Sequence, residues 1–196
     1  MMLFEPSAEY NTKKPNLAPE FVAKLAKAYG KAPKPEQIFN YIYAVLYSNT
    51  YRTKYGEFLK SDFPRVPFTA DYKLFVKLSE LGEQLTELHL LKSKTLNKPI
   101  VKFEGKGDNR VGKLAYEKSK LYINETQYFS GLSENVYEYQ IGGYQVCNKW
   151  LKDRKGRILS LEEIQTYCKI ATALQETIAL QKEIDKHYDK IEVKTI

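Results

Sequence analysis

The sequence predicts an α+β protein in which long amphipathic helices flank a small, mostly antiparallel sheet. Helical periodicity dominates residues 35–91 and resumes after Ser160, while short β-prone runs fill the stretch between. Charge supplies the third observation. Residues 92–160 hold fourteen of the 31 Lys and Arg but only seven of the 24 Asp and Glu, so the whole net charge of +7 sits there. The chain divides accordingly into a lead-in with a short helix (1–34), a helical scaffold (35–91), a basic β-rich insert (92–160) and a long C-terminal helix (161–196) packing on the helix of 71–91. With 43% hydrophobic and 28% charged residues, 196 residues suffice for one globular domain with a helical extension.

Residues 1–18 lack periodicity and read as an extended lead-in. Pro19 opens a short helical pattern over 20–29, with Phe21, Val22, Leu25 and Ala28 on one face, and Gly30 stops it. After a linker at 31–35, Pro35 is suited to the first position of a helix. Ile38, Ile42, Val45 and Leu46, with Phe39, Tyr41 and Tyr43, make that helix apolar on most of its surface, which predicts burial. Ser48-Asn49 breaks the run, and 51–60 is expected as a second helix. Asp62-Phe63-Pro64-Arg65-Val66-Pro67 is an extended connector, since each proline biases its predecessor away from helix.

The clearest helix covers 71–91, where Leu74, Leu78, Leu81, Leu85 and Leu88 recur at spacings of 4, 3, 4 and 3. A second seam follows Ser160, an N-cap candidate with Glu163 three residues on, and runs through Ile164, Tyr167, Ala171, Leu174 and Ile178. The two seams suit antiparallel packing against each other, with dimerisation through one of them as the alternative. Between them, 100–103, 113–116, 121–124 and 137–141 read as strands, with a hairpin connection at 117–120 that lacks the strongest turn signature. Gly142-Gly143 then separates the last strand from a short helix over 145–152 carrying Trp150.

These features exclude several classes of function. No apolar run approaches the ~20 residues needed to cross a bilayer. The segment MMLFEPSAEY has no basic region followed by an apolar stretch, so no signal peptide is expected. Cys147 and Cys168 have no metal-ligand spacing and are expected as core thiols of a cytoplasmic protein. His89 and His187 have no ligating neighbours in sequence and are expected on helix surfaces.

Phe103-Glu104-Gly105-Lys106-Gly107 matches a glycine pattern with which many adenine methyltransferases cradle their cofactor. No helical periodicity follows it, so a glycine turn is the expected role. No nucleophile elbow, P-loop or nuclease cluster is evident. The sixteen tyrosines are expected mostly half-buried with hydroxyls at the surface.

A basic stretch of this kind suits phosphate, because each neutralised phosphate releases counterions. The densest part is Lys149-Trp150-Leu151-Lys152-Asp153-Arg154-Lys155-Gly156-Arg157, five cations in nine residues. Trp150 is expected as a core anchor, and Lys106, Arg110 and Lys113 form a second basic set.

Several longer blocks carry a resemblance. They are Pro35-Glu36-Gln37-Ile38-Phe39-Asn40-Tyr41-Ile42, the Phe58-to-Pro67 connector, Gly107-Asp108-Asn109, Tyr122-Ile123-Asn124-Glu125-Thr126-Gln127-Tyr128-Phe129, and the run from Ile141 to Arg157. In this order the chain resembles, over residues 13–185, the C-terminal specificity region of single-polypeptide Type I-like (Type ISP) restriction–modification enzymes and related adenine-N6 methyltransferases.

The resemblance implies target recognition on double-stranded DNA for an adenine-N6 methyltransferase. Catalysis and S-adenosylmethionine would lie in a methyltransferase domain or subunit, with no catalytic residue, cofactor, metal or small-molecule ligand in this chain. The residues expected at DNA are Lys106, Arg110, Lys113, Lys149, Lys152, Arg154, Lys155 and Arg157. The alternative is a protein–protein docking module for a methyltransferase subunit, without DNA contact.

Overall fold

A computed structural model describes residues 15–193 and 195–196, so most of the expected lead-in lies outside the described residues. Helix α1 (Pro19–Tyr29) starts on its proline and ends at Gly30 with φ 71°, a left-handed stop. Helix α2 (Pro35–Tyr47) also begins on proline and buries Ile38, Tyr41, Ala44 and Val45. Ser48 closes α2 and opens α3 (Asn49–Lys54), its hydroxyl accepting from the Tyr51 amide at 3.1 Å. The helix expected over 51–60 stops at Lys54; only a 3-10 turn, Phe58–Lys60, follows, beyond Gly56.

Helix α4 (Tyr72–His89) is capped by Asp71, whose carboxylate accepts from the amides of Lys73 (2.8 Å) and Leu74 (3.3 Å). It lies hard against α2. A Cβ on Gly82 would stand 1.8 Å from the Asn40 carbonyl oxygen, and Ser79 Oγ donates to the Gln37 carbonyl at 3.0 Å. Tyrosines pin the proline connector to this pair. Tyr41 donates to the Pro67 carbonyl at 2.8 Å and accepts from the Thr69 amide, and Tyr51 donates to the Arg65 carbonyl at 3.1 Å. Tyr41 and Tyr51 are therefore fully buried, as are Tyr167 and Tyr188 elsewhere, while most of the other described tyrosines are half-buried as expected. Irregular backbone leaves carbonyls without helical partners, and a buried phenol meets that need.

The sheet has four antiparallel strands in the order β1-β4-β3-β2, with β1 at Lys102–Glu104, β2 at Ala115–Glu117, β3 at Lys120–Tyr122 and β4 at Tyr128–Ser130. β2 and β3 join through a two-residue turn in which Lys118 (φ 48°) and Ser119 (φ 61°) both take left-handed conformations without a glycine. The strand expected at 137–141 is mostly absent. A short helix α5 (Glu134–Tyr137) turns instead, with the amides of Val136 and Tyr137 both bonded to the Ser133 carbonyl. That turn buries Val136 and stacks Tyr137 on Tyr116 at 3.9 Å between ring centres, contacts an extended strand would forgo. Extended pairing is left to β5 (Gln140–Ile141) and β6 (Tyr144–Gln145), followed by α6 (Val146–Lys152).

Helix α7 (Leu161–Val193) runs through both halves of the molecule. Ile164, Tyr167, Ala171 and Leu174 pack with Leu121, Phe129 and Leu151 of the sheet side. Farther along, Ile184, Tyr188 and Ile191 join the cluster of Ile38, Tyr41, Leu78 and Leu85. The α7 seam thus covers the sheet, and α2 is the close neighbour of the leucines of α4. Helix α7 does pack on α4, as expected, but outside its seam, with Ala173 beside Leu88 and with Ile184 and Tyr188 in the cluster of Leu78 and Leu85. A heptad pattern identifies the apolar side of a helix but not what covers it.

Asp185 of α7 secures α3, accepting from Ser48 Oγ at 2.7 Å, Asn49 Nδ2 at 3.0 Å and the Thr50 amide at 3.2 Å. Both cysteines are buried thiols. Among the described residues no helix is long and apolar enough to cross a membrane.

Candidate nucleic-acid interface

The loop from β1 to β2 crosses closely over the β3–β4 turn, and its glycines permit the crossing. A Cβ on Gly105 (φ 99°) would stand 2.0 Å from the Thr126 carbonyl oxygen, and one on Gly107 would stand 2.5 Å from Gln127 Oε1. After the glycines the chain leads to an antiparallel bridge between Arg110 and Ile158, so no helix follows the glycine motif.

Amide side chains fix the crossing. Gln127, 2% exposed, accepts from the Asn109 amide at 2.8 Å and donates through Nε2 to Asn109 Oδ1 at 2.7 Å. Asn124 Oδ1 accepts from the amides of Thr126 and Gln127, and its Nδ2 donates to the Arg110 carbonyl at 3.0 Å. Asn109 itself takes φ 61°, a conformation asparagine tolerates better than most residues. Sequence reading did not assign these three amides a place in the site. The Asx-turn spacing of Asn124 to Thr126 and Gln127 is the local signal that could have found the turn.

The same loop is laced to the densest basic segment. The Val111 amide donates to the Arg157 carbonyl at 2.9 Å, the Gly156 amide to the Val111 carbonyl at 2.7 Å, and the Leu159 amide to the Asn109 carbonyl at 3.0 Å. Gly156 takes φ 82°, which makes the return possible. Two basic stretches more than forty residues apart thereby become one surface. Beside it opens a groove of about 680 Å³ lined by Gly107, Arg110, Gly112, Lys113, Tyr122 and Asn124, among others.

The eight expected cations differ in how they are held. Arg110 donates to the Gly156 carbonyl at 2.8 Å and pairs with Asp108 at 3.2 Å. The Arg110 backbone amide and then its guanidinium hold the Asp108 carboxyl below its usual range. Lys149 pairs with Asp153 at 2.5 Å. Lys106, Lys113, Lys152 and Lys155 are exposed and, among the described residues, form no ion pair.

Arg154 is drawn inward. Its guanidinium lies 3.5 Å from the Trp150 ring centre, donates to the Trp150 carbonyl at 3.0 Å and pairs with Glu163 at 3.2 Å. Trp150, half-buried, packs against Tyr167 at 5.3 Å. Arg157 reaches the same Glu163 oxygen at 2.8 Å but keeps its side chain 58% exposed.

Glu163 also closes a reciprocal cap with Ser160. It accepts from the Ser160 amide, and its own amide donates to Ser160 Oγ, both at 3.1 Å. The Ser160 amide first, and then Arg154 and Arg157, hold its carboxyl below the usual range. Arg154 therefore rivets the basic loop to the start of α7, and the exposed lysines with Arg110 and Arg157 face outward.

A family model described as the Type ISP C-terminal specificity domain matches residues 2–183. Among solved structures, a nuclease-deletion mutant of the Type ISP restriction-modification enzyme LlaGI, in complex with a DNA substrate mimic, is 25% identical with a TM-score of 0.57, over 78% of this chain and 14% of that one. A DrdV–DNA complex determined by cryoEM is 19% identical with a TM-score of 0.72, over 86% of this chain and 20% of that one. The ATP-dependent Type ISP restriction-modification enzyme LlaBIII bound to DNA is 20% identical with a TM-score of 0.63, over 86% of this chain and 12% of that one. The last two establish likeness of fold. No curated protein matches the chain. The chain spans between 12% and 20% of the length of the three solved chains.

Proposed function

We infer the function of this chain from its family: it belongs to the Type ISP C-terminal specificity domains. We propose that it recognises a sequence in double-stranded DNA on behalf of a restriction–modification enzyme. On this reading the chemistry is methylation of adenine at N6, carried out by a cytoplasmic methyltransferase part that holds S-adenosylmethionine and flips the target base. This chain supplies the choice of site.

The observation that carries the proposal is the lacing of 109–111 to 156–159, which gathers two separate basic segments beside one open groove. Lys106, Lys113, Lys152 and Lys155 would contact phosphates, since a flexible ammonium acts as a point charge. Arg110 and Arg157, held by backbone or carboxylate yet exposed, have the planar fork that reads guanine bidentately. Arg154 would act through the loop it anchors, by keeping Lys152 and Lys155 in place.

The test is a salt-titrated mobility shift on duplex DNA. The logarithm of affinity should fall linearly with the logarithm of salt. Each of Lys106→Ala, Lys113→Ala, Lys152→Ala and Lys155→Ala should lower that slope by about 1 where the lysine neutralises a phosphate. Slopes unchanged in all four variants would take these lysines off the phosphates, and a duplex that is not shifted even at low salt would instead support a docking module that touches no DNA.

A further inference from the structure

The β5–β6 hairpin is an exposed ribbon with no evident structural duty. Its two strands have two residues each and, among the described residues, pair only with one another, Gln140 opposite Gln145 and Ile141 opposite Tyr144. A lone two-stranded hairpin of this length is marginal in water. The fold nevertheless holds its base firmly. The Val146 amide donates to the Tyr139 carbonyl at 3.2 Å, Asn148 Nδ2 donates to Gln145 Oε1 at 2.7 Å and to Tyr137 Oη at 2.8 Å, and Tyr139 Oη donates to Gln181 Oε1 at 3.2 Å.

The outer end is bare. Ile141 is 42% and Tyr144 62% exposed, and the turn between them is Gly142-Gly143, with φ 57° and 81°. A Cβ at either glycine would meet nothing within 4 Å, so the left-handed turn, and no steric crowding, is what calls for glycine. The result is a tip with no side chain beyond Cα, able to bring its backbone close to a partner.

The surroundings say which partner. Beside the hairpin lies an open hollow of about 320 Å³ lined by Gln140, Tyr144, Gln145, Asn148, Lys149 and Lys152. The hairpin itself carries no charge, its flank carries two lysines, and Lys149 Nζ lies 5.9 Å from the Tyr144 ring centre. Uncharged amide and apolar groups on a ribbon, with cations at its side, complement a base-pair edge with phosphates beyond it. The major groove of B-DNA admits a two-stranded ribbon. Gln145 is engaged by Asn148, whereas Gln140 is exposed, and glutamine pairs bidentately with the N6 and N7 of adenine.

We propose that the β5–β6 hairpin enters the major groove and is a specificity element of the interface. Gln140 reads the adenine of one A·T pair, and Ile141 and Tyr144 make apolar contact with an adjacent thymine methyl. This rests on the reading of the chain as a DNA-recognition domain.

The test uses the whole chain and a duplex library with a randomised core, selected at low salt and sequenced. The unaltered chain should enrich a motif containing an A·T pair at which Gln140→Ala becomes indifferent, with the other positions kept. On the enriched duplex Gln140→Ala should bind roughly tenfold more weakly, and on an unrelated duplex about as before. Tyr144→Ala should relax an adjacent position. Unchanged circular dichroism would show that the variants are folded, as expected for exposed side chains. A motif identical in the wild type, Gln140→Ala and Tyr144→Ala overturns the hairpin proposal alone. A wild-type chain that binds no duplex, or enriches no motif, overturns the recognition reading and the hairpin with it.

Discussion

His89, at the last turn of α4, contacts both neighbouring helices through its ring. Nδ1 lies 2.7 Å from Tyr43 Oη and Nε2 lies 2.9 Å from Thr177 Oγ1. The Thr177 hydroxyl donates to the Ala173 carbonyl at 2.7 Å, so toward the histidine it accepts. Nε2 therefore carries a proton, and in the neutral ring Nδ1 accepts from Tyr43. Burial first, and the Arg52 charge second, push its pKa down. A folded pKa below the unfolded value means that the unfolded chain binds the proton first. The stability His89 contributes is then complete above the ordinary histidine pKa of ~6.5 and drains as pH falls from there toward the lowered folded value. Urea unfolding between pH 7 and 5 should show this loss, and His89→Gln should flatten it. An imidazole NMR titration with its midpoint at or above ~6.5 would refute the assignment. Sequence reading placed His89 on a helix surface because the pattern of α4 alone does not contain Tyr43 or Thr177. The same gap separates the eight expected cations from the basic surface as it folds. The basic runs were legible, but the inward turn of Arg154 follows from where Trp150 and Glu163 meet in space.

At the scale of elements, Gly82 is the clearest case of a residue chosen by its neighbour. In an isolated helix Gly82→Ala would gain about 1 kcal/mol. Here the added methyl would collide with the Asn40 carbonyl at 1.8 Å, and backbone cannot step aside as a side chain can. The substitution should instead destabilise the protein by about 3 kcal/mol through forced separation of α2 and α4. Chemical denaturation would measure it, and a stabilised variant would show that the helices have slack. The helices were legible because each spans several turns of periodic apolar residues with a proline or Asp71 at its start. The strands were less so, because three residues hold too little alternation to define a boundary, and β4 went unread. The run from Tyr137 to Ile141 alternates as a strand would, yet its first residue completes α5. Stacking of Tyr137 on Tyr116 outweighed local pattern there.

At the scale of the molecule, α7 decides whether the sheet side and the helical scaffold behave as one body. Its first half completes the sheet-side cluster and its second half the helical cluster, so neither core is whole without the same 33-residue element. Such sharing predicts a single cooperative transition. Two probes separate the halves. Trp150, the sole tryptophan, reports on the sheet side through its contacts with Tyr167 and Arg154, whereas helical circular dichroism is dominated by the scaffold and α7. Their denaturation curves should coincide in the unaltered chain. Glu176→Pro, midway along α7 and between the two clusters, would remove a helical hydrogen bond and crowd the preceding turn, at a cost of about 3 kcal/mol. If α7 is the coupling, the tryptophan and dichroism transitions should then separate. Coincident transitions in that variant would mean that direct contacts between scaffold and sheet, and not the continuity of α7, hold the sheet side in register with the rest of the chain.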